Sequence, residues 1–567
     1  MKFRIFFLLV FFFPLLSIAQ WNGNETPTYP RLIQECKALA NSHSEIQLFK
    51  MGESDYGLPI YLFVVNGGKD SISTFEKARK GTTLLVNNAI HPGEPDGINA
   101  MLLWANEWIE KGKPTKDMPV VAFIPAYNIG GMMNRSATSR ANQDGPAEYG
   151  FRGNAKNLDL NRDCIKMDSK NAFTFAKIFH ALDPDVFIDN HVTNGADYQY
   201  VLTLISSLKE RLAPSMEDAT YCKMIPALKK QLVKREIDLI PYIDLVKEIP
   251  DSGLVTFDDL PRYAMGYASL FNTFSFTVET HMLKPFPQRV QATKAFLEEM
   301  LIYMKENVDL IEKARLEANN FQQNEAYFFH HYELNTEKKD SLLFKGFEAK
   351  YKPSEVTGLT RMYYDRKAPF EKMVPYWNAH EATDSVKVPR FYIVGGQEKE
   401  VLDRLKANGI KMHRITKDST VKVVCQKIVD FKTGTNPYEQ HYLHSKVKVE
   451  YVEMDYHLKP GDYRVPARQE KAFFLQSVLM AQAEDSYFSW NFFDSYMDEK
   501  EYFSSYVFED IAAKLLNDNP DLRAELEAKK ASDVEFAKSQ WQQLYFVYQR
   551  SPYFEPTFRI IPVYLVY

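Results

Sequence analysis

The chain has 567 residues, 45% apolar and 25% charged, an ordinary globular balance that excludes bulk disorder. Its net charge of -5, from 69 basic and 74 acidic residues, lacks the basic footprint of a nucleic-acid binder. A chain of this length exceeds one ordinary core, so two or more domains are expected.

In chain order, the first segment is MKFRIFFLLVFFFPLLSIAQ. Lys2 and Arg4 precede an apolar run, and Ser17 and Ala19 supply small residues before a cut. This pattern predicts a secretory signal peptide over residues 1–19 and an exported protein, periplasmic or extracellular. An uncleaved membrane anchor is the competing reading, but the run is shorter than the ~20 residues a span needs. Cleavage after Ala19 leaves 67 basic and 74 acidic residues, a net charge of -7. No later stretch is long and apolar enough to be a transmembrane helix. Cys36, Cys164, Cys222 and Cys425 form no CxxC pair and no disulfide framework. Pairing and buried free thiols both remain open.

Residues 20–319 alternate apolar runs with amphipathic stretches. Strands are expected over 60–65, 82–86, 119–124, 184–189 and 274–278, and helices over 96–111, 171–182 and 287–313. This alternation predicts an α/β domain with a mixed, mostly parallel sheet flanked by helices. Residues 320–388 are polar, aromatic and irregular, and read as a connecting region. From residue 389 to 567 the pattern restarts as a smaller α+β domain. Strands are expected there over 390–394, 447–454 and 560–567, and helices over 397–408, 470–483 and 502–517.

Ligands gather outside the carboxyl ends of strands in open α/β sheets. After the run ending at Ile90 comes His91-Pro92-Gly93-Glu94, after Asp189 comes Asn190-His191, and after Val278 comes Glu279. Zinc accepts imidazole nitrogen and carboxylate oxygen, and a catalytic site needs three protein ligands with one open position. His91 and Glu94 can supply two, and His191 is the best third. A surface histidine and a solvated glutamate are the plain alternative. Glu279 ends an apolar run, where desolvation raises a carboxyl's pKa and suits it to general base work. A structural salt bridge is its alternative. Residues 128–163 carry Arg135, Arg140, Arg152 and Arg162, whose guanidinium forks suit a substrate carboxylate or an oxyanion. Taken singly they read as surface ion-pair partners.

Together, His91-Pro92-Gly93-Glu94, Asn157-Leu158-Asp159-Leu160-Asn161-Arg162, His191 and Glu279 resemble, in that order, the M14 zinc carboxypeptidase family. The resemblance spans roughly residues 25–310. It implies one zinc ion held by His91, Glu94 and His191, with Glu279 as general base and acid. It implies that Asn161 and Arg162 hold the substrate's terminal carboxylate. It also implies an arginine that polarises the scissile carbonyl, for which Arg140 is preferred and Arg152 competes. A tyrosine that closes over the substrate is implied too, with Tyr263 and Tyr267 as candidates. Asp163 departs from the family, which usually has Asn there. The region after residue 320 resembles the C-terminal extension of larger bacterial members, notably at Gly461–Pro466 and Ala483–Ser486.

The expected function is a secreted zinc-dependent metallocarboxypeptidase acting on a peptide or protein substrate. The alternatives are an amidase or endopeptidase on cell-wall or other modified peptides, and a binding protein using the C-terminal half.

Overall fold

The computed structural model describes residues 23–112 and 117–567. The segment read as a leader, residues 1–19, lies outside the described residues. Among the described residues no helix is long and apolar enough to cross a membrane.

The main sheet has eight strands: β1 (Ile46–Glu53), β2 (Pro59–Val65), β3 (Thr83–Asn87), β4 (Val120–Ile124), β5 (Val186–Thr193), β6 (Leu202–Ser206), β7 (Leu239–Pro241) and β8 (Phe274–His281). Their order is β1-β2-β4-β3-β5-β8-β6-β7. The central strands β4, β3, β5 and β8 run parallel. Strands β2 and β6 flank them in the antiparallel sense. Every residue of β3, β4 and β5 is buried. Helices cover both faces of such a sheet, so its strands read as continuous apolar runs. The fold is thus α/β, with a mixed sheet flanked by helices.

The helix Asp96–Glu110 packs on the helix Phe286–Glu306, and the helix Lys170–Leu182 packs on β1. The last of these starts where the Ser169 side chain accepts the Ala172 N–H, and it ends at Asp183 in the left-handed region, with φ +49°.

Three local expectations change. The helix expected over 287–313 is two helices, Phe286–Glu306 and Val308–Asn324, broken at Asn307, where φ is -128° and ψ is 33°. Apolar periodicity does not register a break of one residue. The helix expected over 470–483 is shorter, Ala472–Leu479. Strands β5 and β8 also run further than expected, so His191 and Glu279 lie within their last residues.

Residues 320–388, read as an irregular connection, begin in the end of the helix Val308–Asn324 and are mostly strand. They form the strands Tyr327–Leu334, Asp340–Pro353, Thr360–Trp377 and His380–Lys387. The middle two pair as a long antiparallel hairpin. Most of its residues are exposed or half-exposed on both faces. No apolar face therefore alternates in the sequence, and the period-two signal is lost.

The C-terminal region holds a six-stranded antiparallel sheet, in the spatial order His413–Arg414, Tyr463–Pro466, Phe391–Val394, Ile560–Val566, Ser419–Thr433 and His444–Leu458. Helices accompany it, giving an α+β arrangement. One buried apolar cluster runs through both halves, from Tyr29 to Leu565. At the junction, Tyr267 and Phe271 lie 6.2 and 5.3 Å from Phe474, centroid to centroid. The four cysteines are unpaired: Cys36, Cys164 and Cys425 are buried, and Cys222 is exposed.

Candidate active site

Beyond β3, Ala89 adopts φ +57° and turns the chain. A β-branched residue would be strained in that conformation. The turn His91–Glu94 closes as the Glu94 N–H donates to the His91 carbonyl at 2.8 Å. Gly93 is needed inside it, because a Cβ would sit 2.8 Å from Arg140 Cδ and 3.2 Å from the Gly150 carbonyl. His191 and Glu279 are register partners on the parallel strands β5 and β8.

These elements converge on a cavity of about 460 Å³. Its lining includes all eight residues expected from the sequence: His91, Glu94, Arg140, Arg152, Asn161, Arg162, His191 and Glu279. His91, Glu94 and His191 are buried and offer ligand atoms within 4.8 Å of one another. Glu94 Oε2 lies 3.0 Å from His191 Nδ1 and 3.4 Å from His91 Nδ1. The opposite ring nitrogens are engaged. His91 Nε2 donates to Asp159 Oδ1 at 2.9 Å, and His191 Nε2 donates to Asp189 Oδ2 at 2.9 Å.

This donor set fits a divalent metal. With each Nε2–H given to a carboxylate, both Nδ1 lone pairs face the Glu94 carboxylate, and a cation reconciles three electron-rich groups at that spacing. His91 Nδ1 is buried without a hydrogen-bond partner among the described residues. Outer carboxylates that orient ligating imidazoles are a regular part of metal sites. Imidazole and carboxylate donors without thiolate suit zinc.

The charges reinforce each other. Burial would raise the Glu94 carboxyl, but Arg140 and His91 hold it well below the usual carboxylate range. Burial would lower the His191 imidazole, but Asp189 and Glu94 hold it above its ordinary value. Burial pushes the Glu279 carboxyl up to about 7 against the pull of His191, and the charge of Glu94 adds to the rise. Glu279 Oε2 is buried and has no hydrogen-bond partner among the described residues.

The arginines part company. Arg140 donates to Glu94 Oε1 at 2.6 Å and to the Val192 carbonyl at 2.9 Å. Arg152 reaches Asp159 Oδ2 at 2.9 Å and stands 3.7 Å from Glu94 Oε1. Arg135 is spent on the carbonyls of Thr26, Pro27 and Glu148. Arg162 donates Nη1 to the Asn161 carbonyl at 2.8 Å, and its guanidinium lies 4.4 Å from the Tyr263 ring centroid. Asn161 accepts the Ala264 N–H, and its amide nitrogen lies 3.5 Å from His191 Nε2.

Of the two candidate tyrosines, Tyr263 lines the cavity. Tyr267 does not: it is wholly buried, and its hydroxyl meets Asn408 and His180. Asp163 is structural. It is fully buried and accepts from Lys166 Nζ, the Asp168 and Ser169 N–H groups, and the Ser169 hydroxyl.

Sequence reasoning missed several lining residues, among them Tyr242, Phe257 and Asp259. Burial pushes the Asp259 carboxyl well above its ordinary range, with the charges of Asp258 and Asp189 adding to the rise. Its Oδ2 has no hydrogen-bond partner among the described residues. The two outer carboxylates were also missed, although Asp189 could have been found. It stands two residues before His191 on one strand, so both side chains share a face. No local signal marks Asp259.

No protein-family model matches the chain, and no curated protein does. Among solved structures, the metallo-carboxypeptidase from Burkholderia cenocepacia is 16% identical with a TM-score of 0.36, over 49% of this chain and 69% of that one. The metallo-carboxypeptidase from Pseudomonas aeruginosa is 17% identical with a TM-score of 0.35, over 50% and 68%. Carboxypeptidase A from Helicoverpa armigera is 14% identical with a TM-score of 0.37, over 52% and 75%. Over about half its length, the chain is similar to these metallo-carboxypeptidases.

Proposed function

We propose that the chain is an exported, zinc-dependent metallocarboxypeptidase that removes residues from the carboxyl end of peptides or proteins. The observation that carries this reading is the convergence of His91 Nδ1, His191 Nδ1 and the Glu94 carboxylate beside Glu279 in one cavity. The export component rests on the leader pattern of residues 1–19.

His91, Glu94 and His191 would hold the ion, with Asp159 and Asp189 fixing which ring nitrogens face it. When bound, zinc supplies a Lewis acid for a carbonyl oxygen and lowers the pKa of water to about 7. Glu279 Oε2 takes the proton from the attacking water and returns it to the leaving amine. Arg140 adds positive charge where the oxyanion forms. Asn161 and Arg162 hold the terminal carboxylate, the guanidinium offering a fixed fork for it.

Metal analysis of the purified protein, followed by a peptide-library digest read by mass spectrometry, tests this reading. Stoichiometric zinc and stepwise loss of single C-terminal residues support it. Internal cuts overturn the carboxypeptidase reading, and zinc-independent cleavage overturns the metal's role.

A further inference from the structure

A turn from the C-terminal half reaches the substrate-binding arginine. Tyr438 and His441 close it by exchanging backbone hydrogen bonds, 2.7 and 3.0 Å long. Its two central residues, Glu439 and Gln440, have φ of +49° and +64°. That is the backbone of a type I′ turn, which favours Asn and Gly. Neither central residue is of that kind, so each adopts a sparsely populated conformation that costs free energy.

Three side chains of this turn touch one segment of the catalytic region. The Tyr438 hydroxyl accepts from Arg162 Nε at 2.9 Å. Glu439 Oε2 accepts the Asp159 N–H at 2.7 Å. His441 Nε2 donates to Asp168 Oδ2 at 2.8 Å. The turn is itself braced, because the Tyr438 ring stacks on the fully buried Trp490 at 6.1 Å and 18°. Arg162 therefore has Nε fixed by Tyr438, Nη1 fixed by the Asn161 carbonyl, and one face against Tyr263. Among the described residues Nη2 donates no hydrogen bond, and Arg162 lines the cavity.

We propose that the C-terminal half completes the substrate-binding site, and that Tyr438 is a positioning residue that orients the Arg162 guanidinium toward the substrate's terminal carboxylate. The inference rests on the carboxypeptidase reading and deepens it. A lysine-like flexible cation would pay the full ordering cost when substrate binds. A guanidinium already held on two nitrogens pays little, so preorganisation appears as affinity. The strain in the turn is repaid by these contacts and by the stack on Trp490.

The test uses the zinc-loaded, full-length protein carrying Glu279→Gln, so that ligand persists. Its affinity for a short peptide with a free C-terminal carboxylate is compared, by calorimetry, with that for the same peptide as the C-terminal amide. Adding Tyr438→Phe keeps the ring on Trp490 and removes only the hydroxyl. It is expected to weaken binding of the free acid about fivefold to tenfold, the scale of one ordinary hydrogen bond, and to leave the amide unchanged. With Glu279 intact, Tyr438→Phe raises KM by a similar factor and leaves kcat unchanged. A Tyr438→Phe protein that keeps the full preference for the acid overturns the inference alone, as does equal weakening of acid and amide. A parent protein with no preference for the acid overturns both the carboxypeptidase reading and this inference.

Discussion

Glu279 and His191 face one another across adjacent parallel strands, as direct register partners on β8 and β5. In a parallel pair such partners project from the same face of the sheet. The backbone ladder, not a loop, therefore sets the spacing between the proposed base and a proposed ligand. Glu279→Gln keeps the shape of the side chain and removes only its capacity to take a proton. The expected result is a fall in kcat of about 10²- to 10⁴-fold with zinc stoichiometry unchanged. Full turnover in a metal-replete variant would remove Glu279 from the base role.

Asp159 links the proposed metal site to the proposed substrate site. It receives His91 Nε2, Arg152 and the backbone N–H of Asn161, and it lies 3.8 Å from Arg162 Nη1. Burial would raise its carboxyl, but His91, Arg152 and Arg162 hold it well below the usual carboxylate range. Asp159→Asn is expected to weaken zinc binding about 10- to 100-fold, the usual cost of losing an outer-shell partner. Competition with a chelator measures this, and unchanged zinc retention would show that His91 needs no such support.

Lys166 is wholly buried, with Nζ 3.0 Å from Asp163 Oδ1 and 2.5 Å from Asp168 Oδ2. Asp168 is also where Arg404 and His441 of the C-terminal half arrive. Lys166→Met removes the shared cation and leaves two buried carboxylates short of charge. Breaking a buried pair in this way costs about 3–5 kcal/mol. A lower urea midpoint at unchanged slope is the expected outcome; an unshifted midpoint contradicts it.

His180 sets a pH dependence. It sits between Tyr267, Asn408 and Lys471, the last donating to its Nδ1 at 3.1 Å. Burial, aided by the Lys471 charge, lowers its imidazole from 6.5 to about 3. The unfolded chain therefore binds a proton between those values and the folded chain does not, so stability falls as pH drops below 6.5. The loss reaches about 2 kcal/mol at pH 5. Urea midpoints at pH 7 and pH 5 read this difference, and His180→Gln is expected to flatten it. An identical pH slope in the variant would assign the effect to other groups.

The parallel core was legible because β3, β4 and β5 are buried throughout and so read as unbroken apolar runs. The candidate site was legible where the residues that line its cavity cluster in the chain, as in His91–Glu94 and Asn161–Arg162. It was illegible where partners are far apart in the chain: 276 positions separate Arg162 from Tyr438. Nor could residue type alone separate Tyr263 from Tyr267. One meets the cavity and the other meets Phe474, and that choice belongs to packing between the two halves. The long hairpin over Asp340–Trp377 was hidden for the opposite reason, since both of its faces are largely open to solvent and impose no alternation.

The contact of Tyr267 and Phe271 with Phe474 seals one half of the chain against the other. Removing the residues beyond 388 would open those rings to water and release Arg162 in the same event. The two halves are therefore coupled at the core and at the proposed substrate site alike, whereas the tip of the hairpin, around the exposed Val356, can be trimmed without touching either.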